Sequence, residues 1–96
     1  MAMRMQSANE SDWKQAIIEA DVLLDDILTK MGYRGESVGE KLQRVARGDM
    51  QTLDDAWSAH KVRNDIAHTA GFKLNQHEAN HAINLYRKVF EEFYYI

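Results

Sequence analysis

Between Trp13 and Met31, apolar side chains recur every three or four residues without a break. This spacing places them on one side of an α-helix, so the pattern predicts a long amphipathic helix. Ser7, Asn9 and Ser11 are each placed to cap its first turn. The apolar positions are Trp13, Ala16, Ile17, Ala20, Leu23, Leu24, Ile27, Leu28 and Met31.

The acidic residues of this predicted helix lie mostly off its apolar side. They are Glu19, Asp21, Asp25 and Asp26. Paired carboxylates can serve as acid–base groups or as metal ligands. They can also form a solvated face or pair with arginines across the bundle, and we favour this simpler interpretation.

The chain contains no proline and only five glycines among its 96 residues, a composition that favours helices over strands. The segments between the glycines have helical periods. They predict a short second helix over residues 38–47, with Ser37 and Glu40 as its capping pair. A third helix is predicted from about Thr52, which would be capped with Asp55, to about Thr69. A fourth helix is predicted after a capping box of Asn75 and Glu78. Because the connections are short, the sequence predicts an all-α, up-and-down four-helix bundle.

Length and composition limit the class of protein. The chain is long enough for one small domain, which we assign to residues 9–96, with residues 1–8 as a disordered tip. It has no cysteine, which fits a reducing compartment, and no apolar run of membrane-spanning length, so we expect a cytoplasmic protein with no membrane partner. A net charge of -3 argues against a protein that coats nucleic acid non-specifically, but it is compatible with a local basic site.

Two surface patterns concern partners. The third helix is apolar along two lines, so we expect it to pack against the bundle and against a second subunit. One line is Leu53, Ala56 and Trp57, and the other is Ala59, Val62 and Ile66. On the second helix, Lys41, Arg44 and Arg47 recur every three residues. They predict either a solvated face or a basic ridge that grips an RNA backbone.

Residues 77–81 read His-Glu-Ala-Asn-His, which matches the zinc-protease pattern of two histidines and an intervening glutamate. Asn84 and Arg87 stand where the extended pattern needs glycine and a third histidine. Glu78 also has a capping role at the start of its helix. We therefore expect no metal site and no metal cofactor.

The densest group of chemically capable side chains lies between Trp57 and His68. His60, Asn64 and His68 are spaced four apart, which stacks them on one face of a helix, and Arg63 lies at the edge of that face. This group suits chemistry on a phosphodiester, since a guanidinium binds phosphate oxygens and an imidazole transfers a proton. On an ideal helix Arg63 and His68 lie about 140° apart, so they converge only if Arg63 bends along the surface or if a second subunit supplies one of them.

The run Arg63-Asn64-Asp65-Ile66-Ala67-His68 resembles the signature of the HEPN superfamily. In that signature an arginine is followed by a polar residue, and a histidine comes about four to six positions after the arginine. The Glu-Ala-Asp-x-x-Leu-Asp run from Glu19 to Asp25 and the spacing from Trp57 to Asn64 extend the resemblance over nearly the whole chain. Ala70 stands where one toxin branch carries a tyrosine that its antitoxin modifies, so that form of regulation does not carry over.

What the resemblance implies is a metal-independent endoribonuclease of toxin or defence type, which acts as a homodimer on RNA and uses no cofactor. Two copies of the motif would face each other and form one composite cleft. His68 would act as acid or base, Arg63 would stabilise charge on the phosphate, and Asn64 would orient His68 or the RNA. His60 and Asp65 would support these residues, and an antitoxin or a regulatory domain is a further candidate partner.

The alternative is a non-catalytic module of the same superfamily that mediates dimerisation or protein interaction, as one domain of a longer protein. The two hypotheses differ in what they expect of the central cluster. An enzyme should keep Arg63 and His68 exposed in a shared cleft. A scaffold should bury them in ion pairs, for example between Arg63 and Asp55, Asp65 or an acid of the first helix.

Overall fold

Four α-helices account for most of residues 9–93, the part of the chain that the computed structural model describes. They are α1 (Glu10–Lys30), α2 (Val38–Gln43), α3 (Leu53–His68) and α4 (Gln76–Glu92), and a 3-10 turn (Arg47–Asp49) separates α2 from α3. No strand occurs in this range. The prediction of an all-α four-helix bundle is therefore confirmed. The predicted disordered tip over residues 1–8, including Ser7 as a cap, lies outside the described residues.

The starts of α1 and α4 follow from local side-chain chemistry. Asn9 caps α1, since its Oδ1 accepts the N–H of Ser11 at 2.9 Å. Asn75 and Glu78 form the predicted capping box of α4: the Glu78 N–H donates to Asn75 Oδ1 at 2.8 Å, and the Asn75 N–H donates to the Glu78 carboxylate at 3.2 Å. Gly32 follows α1 with a φ of +93°, which suits glycine because other residues adopt it only under strain.

The second helix is shorter than the sequence predicts, because it ends at Gln43 and not at Arg47. After this helix the chain turns and enters the 3-10 segment, which begins at Arg47. Val45 before this segment and Met50 after it are both buried. A continuous helix would carry its apolar side chains on one stripe only, so the turn allows both residues to enter the core.

The predicted basic ridge of Lys41, Arg44 and Arg47 does not form, for the same reason. Lys41 is buried, and its ammonium group donates to the Asp25 carboxylate. Arg44 is exposed at the end of α2, whereas Arg47 lies in the 3-10 turn and pairs with Asp54 at 3.2 Å. Because one of these cations is buried and another is in a different element, the three do not present one surface to a phosphate backbone.

The start of α3 is also held differently from the prediction. The Thr52 side chain makes no capping bond, so the expected cap of Thr52 with Asp55 is wrong. Its hydroxyl donates to Glu92 of α4 at 2.5 Å, and the same carboxylate accepts the N–H groups of Gln51 and Thr52 at 2.8 and 2.9 Å. A carboxylate at a helix N-terminus also interacts favourably with the helix dipole. Glu92 therefore replaces the local cap and ties α4 to α3.

We expect acidification to destabilise the bundle through Glu10 and Glu92. The hydrogen bond from the Leu74 N–H lowers the pKa of Glu10. Burial alone would raise the pKa of Glu92, but the hydrogen bonds from Thr52 and Gln51 outweigh it and lower that pKa below 4.5. Both carboxylates therefore stabilise the folded state above their unfolded pKa of 4.5, and this contribution is lost as the pH falls through their lower folded pKa.

Urea unfolding at neutral pH and at several pH values below 4.5 measures this effect. The free energy of unfolding should decline on acidification, and the decline should be shallower in Glu92→Gln, which cannot titrate at this position. A wild-type stability that stays constant through this range would contradict the assignment of these two carboxylates as acceptors in the folded state.

One hydrophobic core runs through the bundle. The helix α4 packs against both α1 and α3, and its Tyr86 is fully buried. In α3, Ala59 is fully buried, while Trp57, Val62 and Ile66 are half-buried against the same core. Both apolar lines of α3 therefore pack within the chain, and the homodimer remains a prediction. None of the helices within residues 9–93 combines the length and the apolar character that crossing a membrane would take.

Candidate functional site

A cleft of about 520 Å³ lies between α1, the start of α2 and α3. Its wall on α3 is formed by His60, Arg63, Asn64 and His68, all of which the sequence analysis singles out. The helix α1 contributes Asp21 among others to the opposite wall. The volume is within the range of small-ligand sites, so the structure brings the central cluster together in one concavity that a ligand can enter. We refer to it as the cleft.

Arg63 and His68 reach the cleft from the same chain. Arg63 bends toward α1, and its Nε lies 3.8 Å from Oδ2 of Asp21, while 34% of its side chain stays exposed. His68 is the last residue of α3 and is exposed. Arg63 thus bends along the surface, and the alternative in which a second subunit supplies one of the two side chains stays a prediction. His68 thus meets the expectation for an enzyme, whereas Arg63 is both exposed in part and engaged in an ion pair.

Asp21 is the residue around which this wall is built. It is 4% exposed, and its carboxylate accepts a hydrogen bond from the Tyr86 hydroxyl at 2.8 Å. Nδ1 of His60 lies 3.1 and 3.2 Å from its two oxygens, and Arg63 approaches the second oxygen. A buried carboxylate is stable only when its lone pairs are used, and here three side chains from α3 and α4 use them. The favoured interpretation of the acids as partners for arginine therefore holds for Asp21.

The hydrogen bond to Asp21 determines how His60 can act. Because a carboxylate accepts and does not donate, the hydrogen bond assigns a proton to Nδ1 of His60. Nε2 is directed toward Gly39, where a Cβ atom would lie 3.6 Å from it. His60 is buried and contacts the carboxylate that holds Arg63, so its geometry is that of a supporting residue.

Tyr86 has a fixed role in this group. Burial raises the pKa of Tyr86 far above its ordinary value, and the charge of Asp21 and the hydrogen bond to it act in the same direction. The hydroxyl therefore stays protonated and always donates. The sequence alone does not indicate this role of Tyr86, because its hydroxyl donates to a carboxylate that is distant in sequence and no local pattern reveals the contact.

Of the two other predicted site residues, Asn64 lines the cleft and Asp65 does not. Asn64 is half-buried and lines the cleft one turn before His68, where its amide can contact a ligand. Asp65 does not line the cleft, and its backbone carbonyl accepts the Thr69 N–H at 3.0 Å. The expected support from Asp65 is therefore not seen. Asp21, about forty residues earlier in α1, contacts Arg63 and His60 instead.

The zinc-protease pattern lies away from the cleft. His77 and His81 are exposed on the first turns of α4, and the intervening Glu78 is engaged in the capping box. Among residues 9–93, no group of three or more histidine, aspartate or glutamate side chains has a geometry that could hold a metal ion.

Comparison with the models of known protein families, with curated proteins and with solved structures finds no match. The resemblance to the HEPN superfamily therefore depends on the motif in α3 and on its place near the end of the third helix of a four-helix bundle. The chemistry of the site follows from its own side chains, which place an oriented guanidinium, an exposed imidazole and an amide along one wall of the cleft.

Proposed function

We propose that this chain is a metal-independent endoribonuclease of HEPN type, which acts in the cytoplasm as a toxin or defence enzyme. The observation that carries the proposal is that Arg63, Asn64 and His68 line one cleft, with His68 exposed and Arg63 oriented by a buried carboxylate. Arginine and histidine side by side supply the two functions that phosphodiester cleavage needs, which are charge stabilisation and proton transfer.

The proposed reaction uses the ribose 2′-OH as the nucleophile. The imidazole of one copy of His68 takes the 2′-OH proton, and the oxygen attacks the adjacent phosphorus. The bond from phosphorus to the 5′ oxygen breaks, a second imidazole protonates that oxygen, and the products are a 2′,3′-cyclic phosphate and a free 5′-OH. Arg63 stabilises the negative charge on the phosphoryl oxygens, and Asn64 orients His68 or the phosphate. RNA is the substrate because DNA lacks the nucleophile.

A homodimer supplies the second imidazole if two clefts face each other. The rim of the cleft supports this arrangement, because Val22 on α1 is 66% exposed and lies one turn after Ile18, which is half-buried on the same rim. An exposed valine beside a polar cleft is stabilised when a second copy covers it. In such a dimer the two copies of His68 provide the base and the acid.

The test uses the wild-type chain in EDTA with end-labelled RNAs, some structured and some single-stranded, and with the same sequences carrying 2′-O-methyl groups. We expect cleavage of RNA with cyclic phosphate ends and no cleavage of the methylated strands, because methylation removes the nucleophile. A folded chain that leaves all RNAs intact, or one that cleaves the methylated strands equally well, would contradict the proposal.

A second candidate function is a non-catalytic interaction module of the same superfamily. The observation that favours it is the ion pair of Arg63 with Asp21, which is the arrangement expected of a scaffold. In this case the cleft would dock an antitoxin or a neighbouring domain of a longer protein. A dimer or complex that persists in the absence of any ribonuclease activity would support it.

A further inference from the structure

A second, shallower cavity lies on α3 beside the cleft. It has a volume of about 370 Å³ and is formed by Trp57, Ser58, His60, Lys61 and Asn64. We refer to it as the Trp57 shelf. We propose that the Trp57 shelf binds a base of an unpaired RNA strand whose phosphate occupies the cleft. The proposal rests on the proposed function, and it specifies the substrate as single-stranded.

The shelf and the cleft lie on either side of a ridge on α3 that His60 and Asn64 form. His60 and Asn64 line both cavities, so a ligand that crosses this ridge contacts both. Trp57 and Arg63 are six residues apart on α3, which is about 9 Å along the helix axis and about 120° around it. A strand with a phosphate at Arg63 and a base on Trp57 therefore has to cross the ridge that His60 and Asn64 form.

The indole of Trp57 is a rigid platform. It is half-buried against the core, and the His60 ring meets it edge-on, with centroids 6.5 Å apart and planes at 64°. His60 is itself held by Asp21, so the shelf is anchored to the same buried carboxylate as Arg63. Because little side-chain freedom is left to lose, stacking a base on this indole costs little conformational entropy.

The rim of the shelf carries polar groups that suit an RNA strand. Ser58 and Lys61 are exposed, and Asn64 is half-buried between the shelf and the cleft. A hydroxyl and an amide can bond the edge of a base, and the ammonium group can approach a flanking phosphate. A paired base has its faces covered by its neighbours in the stack, so only an unpaired base can lie on the indole.

The test measures binding without cleavage. A fluorescein-labelled 2′-O-methyl oligoribonucleotide of mixed sequence is titrated with wild-type chain, Trp57→Phe and Trp57→Leu, and anisotropy gives the dissociation constants. Leucine keeps an apolar side chain against the core but has no aromatic face. We expect Trp57→Leu to weaken binding by roughly 5- to 150-fold and Trp57→Phe to weaken it much less, because phenylalanine can still stack.

Tryptophan fluorescence gives an independent readout, since the chain has only two tryptophans and Trp13 is buried. The oligonucleotide should quench emission in Trp13→Phe, where Trp57 is the remaining indole, and should leave emission unchanged in Trp57→Phe. This comparison remains decisive even if Trp57→Leu fails to fold. The same strand annealed to its complement should bind without quenching.

The outcomes separate this proposal from the ribonuclease. Binding that depends on Trp57 in a chain that cleaves no RNA would support the shelf and count against the enzyme. Cleavage of RNA by a chain whose oligonucleotide affinity and Trp57 emission do not respond as described would overturn the shelf and leave the enzyme standing. Absence of oligonucleotide binding by the folded wild type, or equal quenching by the duplex, would also overturn the shelf.

Discussion

Replacement of Asp21 by alanine is expected to lower the free energy of unfolding by about 3–5 kcal/mol. The substitution removes the acceptor for the Tyr86 hydroxyl and the His60 Nδ1–H, and it leaves Arg63 without its buried partner. A domain of this size is stable by about 5–15 kcal/mol in total, so the loss is a large part of it. Urea unfolding followed by circular dichroism measures the change.

Tyr86→Phe is the matched control for this prediction. It removes one hydroxyl from the same group and keeps the buried ring, so it should cost only about 1–2 kcal/mol. Asp21 then retains His60 and Arg63 as partners. Equal stabilities of Asp21→Ala and wild type would mean that the buried carboxylate does not hold α1, α3 and α4 together.

The largest effects on activity are expected at His68 and Arg63. Removing a general acid or base lowers the rate by about 100- to 10,000-fold, so His68→Ala should lose that factor. Removing a group that stabilises charge on the phosphate lowers the rate by about 100- to 1,000-fold, which is the expectation for Arg63→Ala. Single-turnover cleavage of a labelled RNA in EDTA measures both.

Stability separates these effects from unfolding. His68 is exposed at the end of α3, so His68→Ala should change the free energy of unfolding by no more than about 0.5 kcal/mol. Arg63→Lys is the second control, since it keeps a positive charge but loses the planar, five-donor guanidinium. A rate in Arg63→Lys equal to that of the wild type would show that charge alone suffices and that the orientation by Asp21 has no catalytic role.

The elements of the fold that sequence patterns predict are those that local chemistry determines. The apolar repeat of α1 and the Asn75–Glu78 capping box both act within a few residues, and both are confirmed. The end of α2 and the cap of α3 are predicted wrongly, although α3 does begin near Thr52 as predicted, because contacts from elsewhere in the chain decide them. Glu92 binds the start of α3 from about forty residues away, and no local motif could have indicated this.

The residues of the candidate site also fall into those that local spacing predicts and one that only the packing of the helices reveals. His60, Arg63, Asn64 and His68 share one wall because helical spacing alone places them there. Asp21 is one of several acids on α1 that look alike in sequence, and only the packing of α1 against α3 shows which of them is buried against Arg63. The one sequence signal for Asp21 is its place directly after Ala20 of the apolar repeat, at the border of the buried stripe, and this signal does not reveal the contact with Arg63.

The most direct test of the proposed enzyme is cleavage of one labelled RNA mixture, in EDTA, by wild-type chain, Arg63→Ala and His68→Ala at equal concentrations of folded protein. The proposed function predicts cyclic phosphate products with the wild type and loss of cleavage in both variants, while sizing shows the same assembly for all three. Cleavage that survives both substitutions would contradict the assignment of the cleft, and its absence in the folded wild type would contradict the ribonuclease itself.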